Sequence, residues 1–139
     1  MFYKKNGDDY TLRLEIGEDI CDALAGFCRE QGVLFGEISG IGAVKNAVVG
    51  LFDPTDGQYH KKELAGPLEM TSLLGSVTEK DGEPYLHLHA TFSDAQCRCF
   101  GGHLNSAVIG VTGEIFMRAI NGSMGRRLNP DTGLYIFDI

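Results

Sequence analysis

Of the four histidines in this chain, three fall between positions 87 and 103. His87 and His89 lie in Leu86-His87-Leu88-His89-Ala90, where residue type alternates. Alternation marks a strand, and side chains two apart on a strand emerge on one face, so two imidazoles stand side by side. His103 follows after a short loop and the pair Gly101-Gly102, read here as a turn that brings the chain back toward the first two. Three neutral imidazoles suit a divalent first-row metal, zinc foremost, in a site with an open coordination position. The competing reading is that these are strand histidines bonded to nearby carbonyls, because a ligand pattern is a hypothesis until geometry confirms it.

The elements that must position them are mostly strands. Residues 10–16 alternate, with Leu12, Leu14 and Ile16 on one face, and Gly17 ends the run. Glu18 and Asp19 then open a segment in which Ile20, Leu24, Phe27 and Cys28 recur at helical spacing, stopped by Gly32. It is the one convincing helix, and its apolar stripe should lie on a sheet. Strands are expected at 33–41, bulged at its glycines, and at 44–52, 58–64, 68–78, 85–92 and 107–120. Shorter strands follow at 124–128 and 134–137 beyond an Asn121-Gly122 hairpin turn. The expected fold class is α+β: a largely antiparallel sheet of seven or eight strands with one main α-helix packed on it. No glycine-rich segment carries the lysine of a phosphate loop, and no Gly-x-Ser-x-Gly nucleophile element occurs.

Length and composition bound the rest. A chain of 139 residues, 43% hydrophobic and 22% charged, fits a single domain over 1–139 with room for a core. No apolar run approaches the ~18–20 residues that span a bilayer, and the polar start is unlike a signal peptide, so the expected address is the cytoplasm, with no membrane partner. Cys21, Cys28, Cys97 and Cys99 form no zinc-ribbon pattern and read as reduced thiols. The net charge of −7 leaves only Lys4-Lys5, Lys61-Lys62 and Arg126-Arg127 as adjacent basic pairs. Because phosphate-neutralising lysines and arginines supply most non-specific nucleic-acid affinity, that balance argues against a direct grip on DNA. Were DNA bound, a face collecting Lys61, Lys62, Arg126 and Arg127 would be the place to look.

Five stretches carry a resemblance. They are Leu-Arg-Leu-Glu-Ile-Gly-Glu-Asp-Ile at 12–20, Ser-Gly-Ile-Gly-Ala at 39–43, Gly-Pro-Leu-Glu-Met-Thr-Ser-Leu-Leu-Gly-Ser-Val at 66–77, His-Leu-His at 87–89 and Gly-Gly-His-Leu at 101–104. In that order the chain closely resembles the PPC (plants and prokaryotes conserved) domain family, in its stand-alone prokaryotic form. The resemblance implies a compact α+β domain that assembles as a homotrimer and is associated with DNA. In plant relatives the domain follows an AT-hook segment, and no Arg-Gly-Arg-Pro core occurs here. Prokaryotic relatives pair the histidines with a glutamate on the following strand, which matches Glu114 in Thr112-Gly113-Glu114. Arg13 is a further candidate, as an anion contact near a trimer boundary.

Two functions from different classes follow. One is a trimeric interaction module, DNA-associated through its family, whose His87, His89 and His103 hold a divalent metal. The other is a small metal-dependent enzyme in which an open coordination position activates water and Glu114 is the base, with an unknown small-molecule substrate.

Overall fold

A computed structural model describes residues 1–139. The elements run β1 (Phe2–Asn6), β2 (Asp9–Leu14), α1 (Ile20–Gln31), β3 (Gly36–Asp53), β4 (Gln58–Lys80), β5 (Glu83–Ser93), β6 (Cys99–Ala119), β7 (Arg126–Leu128) and β8 (Tyr135–Phe137). The helix lies where its spacing predicts it. Asp19 caps it by accepting from the amides of Cys21 (2.9 Å) and Asp22 (3.1 Å), and Gly32 ends it in the left-handed conformation. The second carboxylate oxygen of Asp19 accepts from the Ala107 amide at 3.0 Å, so one side chain both starts the helix and ties it to β6. Ile20, Leu24, Phe27 and Cys28 are buried, and Phe27 is met edge-on by the rings of Tyr3 and Tyr10 at 5.1 and 5.0 Å.

Eight strands form, all pairings antiparallel, but they divide into two sheets. Six build the main sheet in the order β1-β2-β6-β3-β4-β5, and β7 with β8 forms a separate two-stranded sheet. The 124–137 region therefore does not complete the main sheet, and Asn121-Gly122 ends β6 without joining two paired strands. β1, which the polar start concealed, pairs along the whole of β2.

Strand length is the larger departure. The segments 33–41 and 44–52 are one strand, β3, with register shifts at Gly40/Gly42 and Val44/Asn46. Likewise 58–64 and 68–78 are joined in β4 through a cis Gly66–Pro67 bond. Glycine and proline punctuation thus marks bends within strands and not their ends, because the neighbouring chain continues the hydrogen-bond ladder past each irregularity.

Gly101 and Gly102 are not a turn. Both are in β6, opposite Thr91 and Ala90 of β5, and the reversal lies earlier, in residues 94–98. Glycine is required at 102 by close approach, since an added Cβ would meet the Gly50 carbonyl oxygen at 2.7 Å. At Gly75 of β4 a side chain would collide with the carbonyl oxygen of His87, so β4 presses directly on the histidine strand.

One topological feature positions everything below. β6 pairs with β5 from Cys99 to His103, and with β3 from His103 to Ala119. The pairings β3–β4, β4–β5, β5–β6 and β6–β3 close a ring of strands, and at His103 β6 leaves β5.

Candidate metal centre

His89 and His103 are direct cross-strand partners at the last rung of the β5–β6 ladder. His87 lies two residues from His89 on the same face, beyond the rung, where β5 is paired only with β4. The three rings thus surround the point at which the two strands part. Their centroids are 5.2 Å (His87–His89), 5.2 Å (His87–His103) and 5.5 Å (His89–His103) apart, close to an equilateral triangle. One ring nitrogen from each lies within 4.8 Å of the other two. Ligand nitrogens around a tetrahedral zinc with bonds of about 2.0–2.1 Å stand about 3.4 Å apart, a difference that rotation about the side-chain torsions closes. The donor set therefore fits a divalent cation with one position left open.

The residues beneath them are apolar and those beside them polar. Leu88 and Ala90, alternating with the histidines, are buried in the core, while His89 is exposed and His103 half-buried. Desolvation holds His87 down at about 4, assisted by His103, Arg126 and His89, whose positive forms oppose a further charge. Desolvation also lowers His103, with His89 adding to the effect. Neutral imidazole is the form that ligates, so the protein fold keeps these two rings in the binding state at neutral pH.

Sequence spacing missed three neighbours. Tyr59, at the start of β4, stands edge-on to His103 at 6.1 Å, and its hydroxyl accepts a 2.7 Å hydrogen bond from the Asn105 amide. Asn105 also donates to the His103 carbonyl at 3.1 Å, fixing the backbone beneath that ring. Arg126, on β7, reaches the other end of the group. It donates from Nε to Thr78 Oγ1 (2.7 Å) and from Nη1 to the Tyr135 carbonyl (2.9 Å). No local motif announced Tyr59 or Arg126, since each comes from a remote element, whereas Asn105 stands two residues from His103 on β6.

Glu114 is not among the grouped side chains. It pairs with Arg13 of β2 and Ile41 of β3, which puts β3 and β4 between it and the histidines of β5 within one protomer. Glu114 instead borders two adjoining depressions with Ile41 and Thr71. Arg13 is exposed and bonds Glu15 at 2.8 Å.

The other side chains singled out by type are also placed. Burial pushes the Cys21 and Cys28 thiols up to about 12, and Cys97 and Cys99 are exposed in and after the β5–β6 turn. Lys61 and Lys62 lie near the start of β4, whereas Arg126 is anchored at Thr78 near its end, so the four basic residues are not gathered on one face of a protomer. The fourth histidine, His60, joins Asp53 and Asp56 in the exposed β3–β4 turn. There Asp53 and Asp56 accept from the amides of Thr55 and Gln58, and His60 contacts Asp56 at 2.8 Å, which braces the turn.

Closed strand ring, single helix and histidine triangle together define a class, and the comparisons agree with it. Residues 1–121 match the Plants and Prokaryotes Conserved (PCC) domain, and the chain belongs to that family. A crystal structure of a "putative dna binding protein" from Bacteroides thetaiotaomicron is 34% identical, with a TM-score of 0.96 over 99% of this chain and 96% of that one. The "metal-containing protein" from Archaeoglobus fulgidus is 35% identical, with a TM-score of 0.88 over 99% of this chain and 98% of that one. A bifunctional protein GlmU from Synechococcus sp. (strain JA-3-3Ab) is 35% identical over 89% of this chain, which spans only 19% of that relative's length.

The depressed His87 makes one prediction. Its folded value lies below the ordinary 6.5, so its contribution to metal-free stability is complete above about pH 6.5 and is lost as pH falls toward about 4. Imidazole resonances of the metal-free protein should show His87 still neutral at pH 5.5, and titration near 6.5 would contradict this desolvated placement.

Proposed function

We propose that this chain is a homotrimeric assembly module in which His87, His89 and His103 of each protomer hold one divalent metal ion, zinc foremost. The observation that carries the reading is the triangle of imidazoles at the β5–β6 divergence. The Archaeoglobus relative, similar over nearly its whole length and called metal-containing, supports it. A metal there would supply a Lewis acid with an open coordination position. This chain's residues hold it and set the rings, through the core packing of Leu88 and Ala90 below and the Tyr59–Asn105 contact beside His103.

Assembly has its own support. Ile41, Leu74, Val111 and Phe116 are 56%, 58%, 66% and 60% exposed and border the two depressions shared with Glu114. Apolar side chains clustered on a sheet face mark an association surface, and the family resemblance supplies the partner, two further copies of the chain. DNA association is part of the same proposal through the name of the Bacteroides relative. With a net charge of −7 and its basic pairs dispersed, the module joins DNA through a partner and does not grip the phosphate backbone itself. No helix is long and apolar enough to cross a membrane.

The enzyme reading is favoured by one observation, that three ligands leave a position open, whereas structural zinc sites take four protein ligands. Glu114 of the same protomer is too distant to be its base, so this reading needs another proton acceptor.

Four measurements test the proposal. Untagged protein should contain about one metal ion per chain by elemental analysis, and His87→Ala and His103→Ala should lose it. Zinc at a thousand times its Kd should stabilise the parent by about 4 kcal/mol and leave both variants unmoved; metal retained by both variants refutes the site. Light scattering should give three times the chain mass, falling to the monomer in Phe116→Asp, and a monomeric parent ends the trimer reading. At 150 mM salt a gel-shift assay should show no duplex binding by the protein alone, and a shift there overturns the indirect association.

A further inference from the structure

Arg126 is an uncompensated cation. Its guanidinium lies 4.6 Å from the centre of the Tyr85 ring and 4.9 Å from that of Phe137. Nε and Nη1 have acceptors in Thr78 and the Tyr135 carbonyl, but Nη2 is buried without one. Arg127 next to it pairs with Asp138, Arg98 pairs with Asp94 and Arg13 with Glu15, whereas Arg126 has only neutral partners. Burying a guanidinium without a counter-charge is costly, and two aromatic faces offset only part of that cost.

Its position relates it to the histidines. Thr78 is the cross-strand partner of Tyr85, and Ser76 that of His87, so the guanidinium sits one same-face step from His87 on β5. Two residues of strand amount to about 7 Å. The carboxylate in register with His87 on this face is Glu37, two strands away across Ser76 and itself opposite Arg118. Three neutral ligands, a divalent ion and a fixed arginine would leave this spot strongly positive in a protein whose net charge is −7.

We propose that Arg126 makes the three-histidine site selective for a small oxyanion, a carboxylate or a phosphoryl group, as the ligand of its open position. This rests on the metal reading above and names the ligand class for that site. The arginine acts as a fixed charge beside the ligand. That hairpin is held to the body through Arg126 itself and through backbone hydrogen bonds such as Glu79 N–H to the Met124 carbonyl. It lies beyond residues 1–121, which match the family domain.

The test uses the full chain loaded with cobalt(II), whose visible spectrum reports both metal and ligand. Acetate and methylphosphonate are titrated separately, with acetamide as a neutral comparison. Expected are spectral saturation by at least one anion, weak or no response to acetamide, and cobalt affinity in Arg126→Gln equal to or higher than in the parent, because the lost charge also repels the cation. Anion affinity should fall about tenfold in Arg126→Gln, the effect of one charge at about 7 Å in partly screened surroundings, and about threefold in Arg126→Lys. A response to acetate alone identifies a carboxylate ligand, and to methylphosphonate alone a phosphoryl ligand. Unchanged anion affinity in whichever arginine variant folds, or no anion response in cobalt-loaded parent, overturns this proposal and leaves the metal site standing. Failure of the parent to bind cobalt removes both.

Discussion

β6 cannot stay paired with β5 and also follow β3 to the far side of the sheet. Its first rungs close the ring of strands against β5, and from His103 onward its edge belongs to β3 and then also to β2. Backbone donors and acceptors must be paired wherever they are buried, so the change of partner is confined to one place. At that place two strands separate while their side chains still share a face. The histidines occupy that opening, where a surface ion can be approached from solvent while the residues alternating with them remain in the core. The glycines at 75 and 102 belong to the same constraint, because each allows a neighbouring backbone to come close enough for the ring to close.

The electrostatics follow from the same placement. A ring half-sunk into an apolar surface loses hydration, and the neighbouring imidazoles make protonation of His87 and of His103 costlier. Ring nitrogens grouped in this way need only side-chain rotation to surround a cation. Arg126 extends the pattern from one end, adding positive charge that selects against a cationic or neutral ligand. The apolar surface around Phe116 and Leu74 lies on the same face of the sheet as His89, since Phe116, Ser39, Leu74 and His89 form one cross-strand row. Association over that surface and occupation of the histidine site would therefore be felt along a single row of contacts.

Local chemistry in the chain was enough for the helix and for two of the three histidines. Asp19 and Gly32 are capping residues by type, and the helix between them has the period of its buried stripe. His87 and His89 needed only the two-residue repeat of a strand. Their convergence with His103 was legible as proximity in sequence, although the reason given for it, a glycine turn, was incorrect: His103 arrives by cross-strand pairing with His89. Gly42 inside β3, Gly101-Gly102 inside β6 and Gly66-Pro67 inside β4 read as breaks, because a single chain does not show whether a neighbour carries the ladder across them.

What the sequence by itself determined, then, is everything with a local period, the helix with its caps and the alternation that aims two imidazoles outward, together with the net charge of −7. Tertiary structure alone decided which edges pair, and through them the division into a closed ring and a separate hairpin, the distance of Glu114 from the histidines, and the arrival of Tyr59 and Arg126 beside them. The physical reason is that strand pairing joins residues far apart in the chain through backbone groups every residue carries. Side-chain identity biases that choice only through the summed burial of whole faces, which no short motif records.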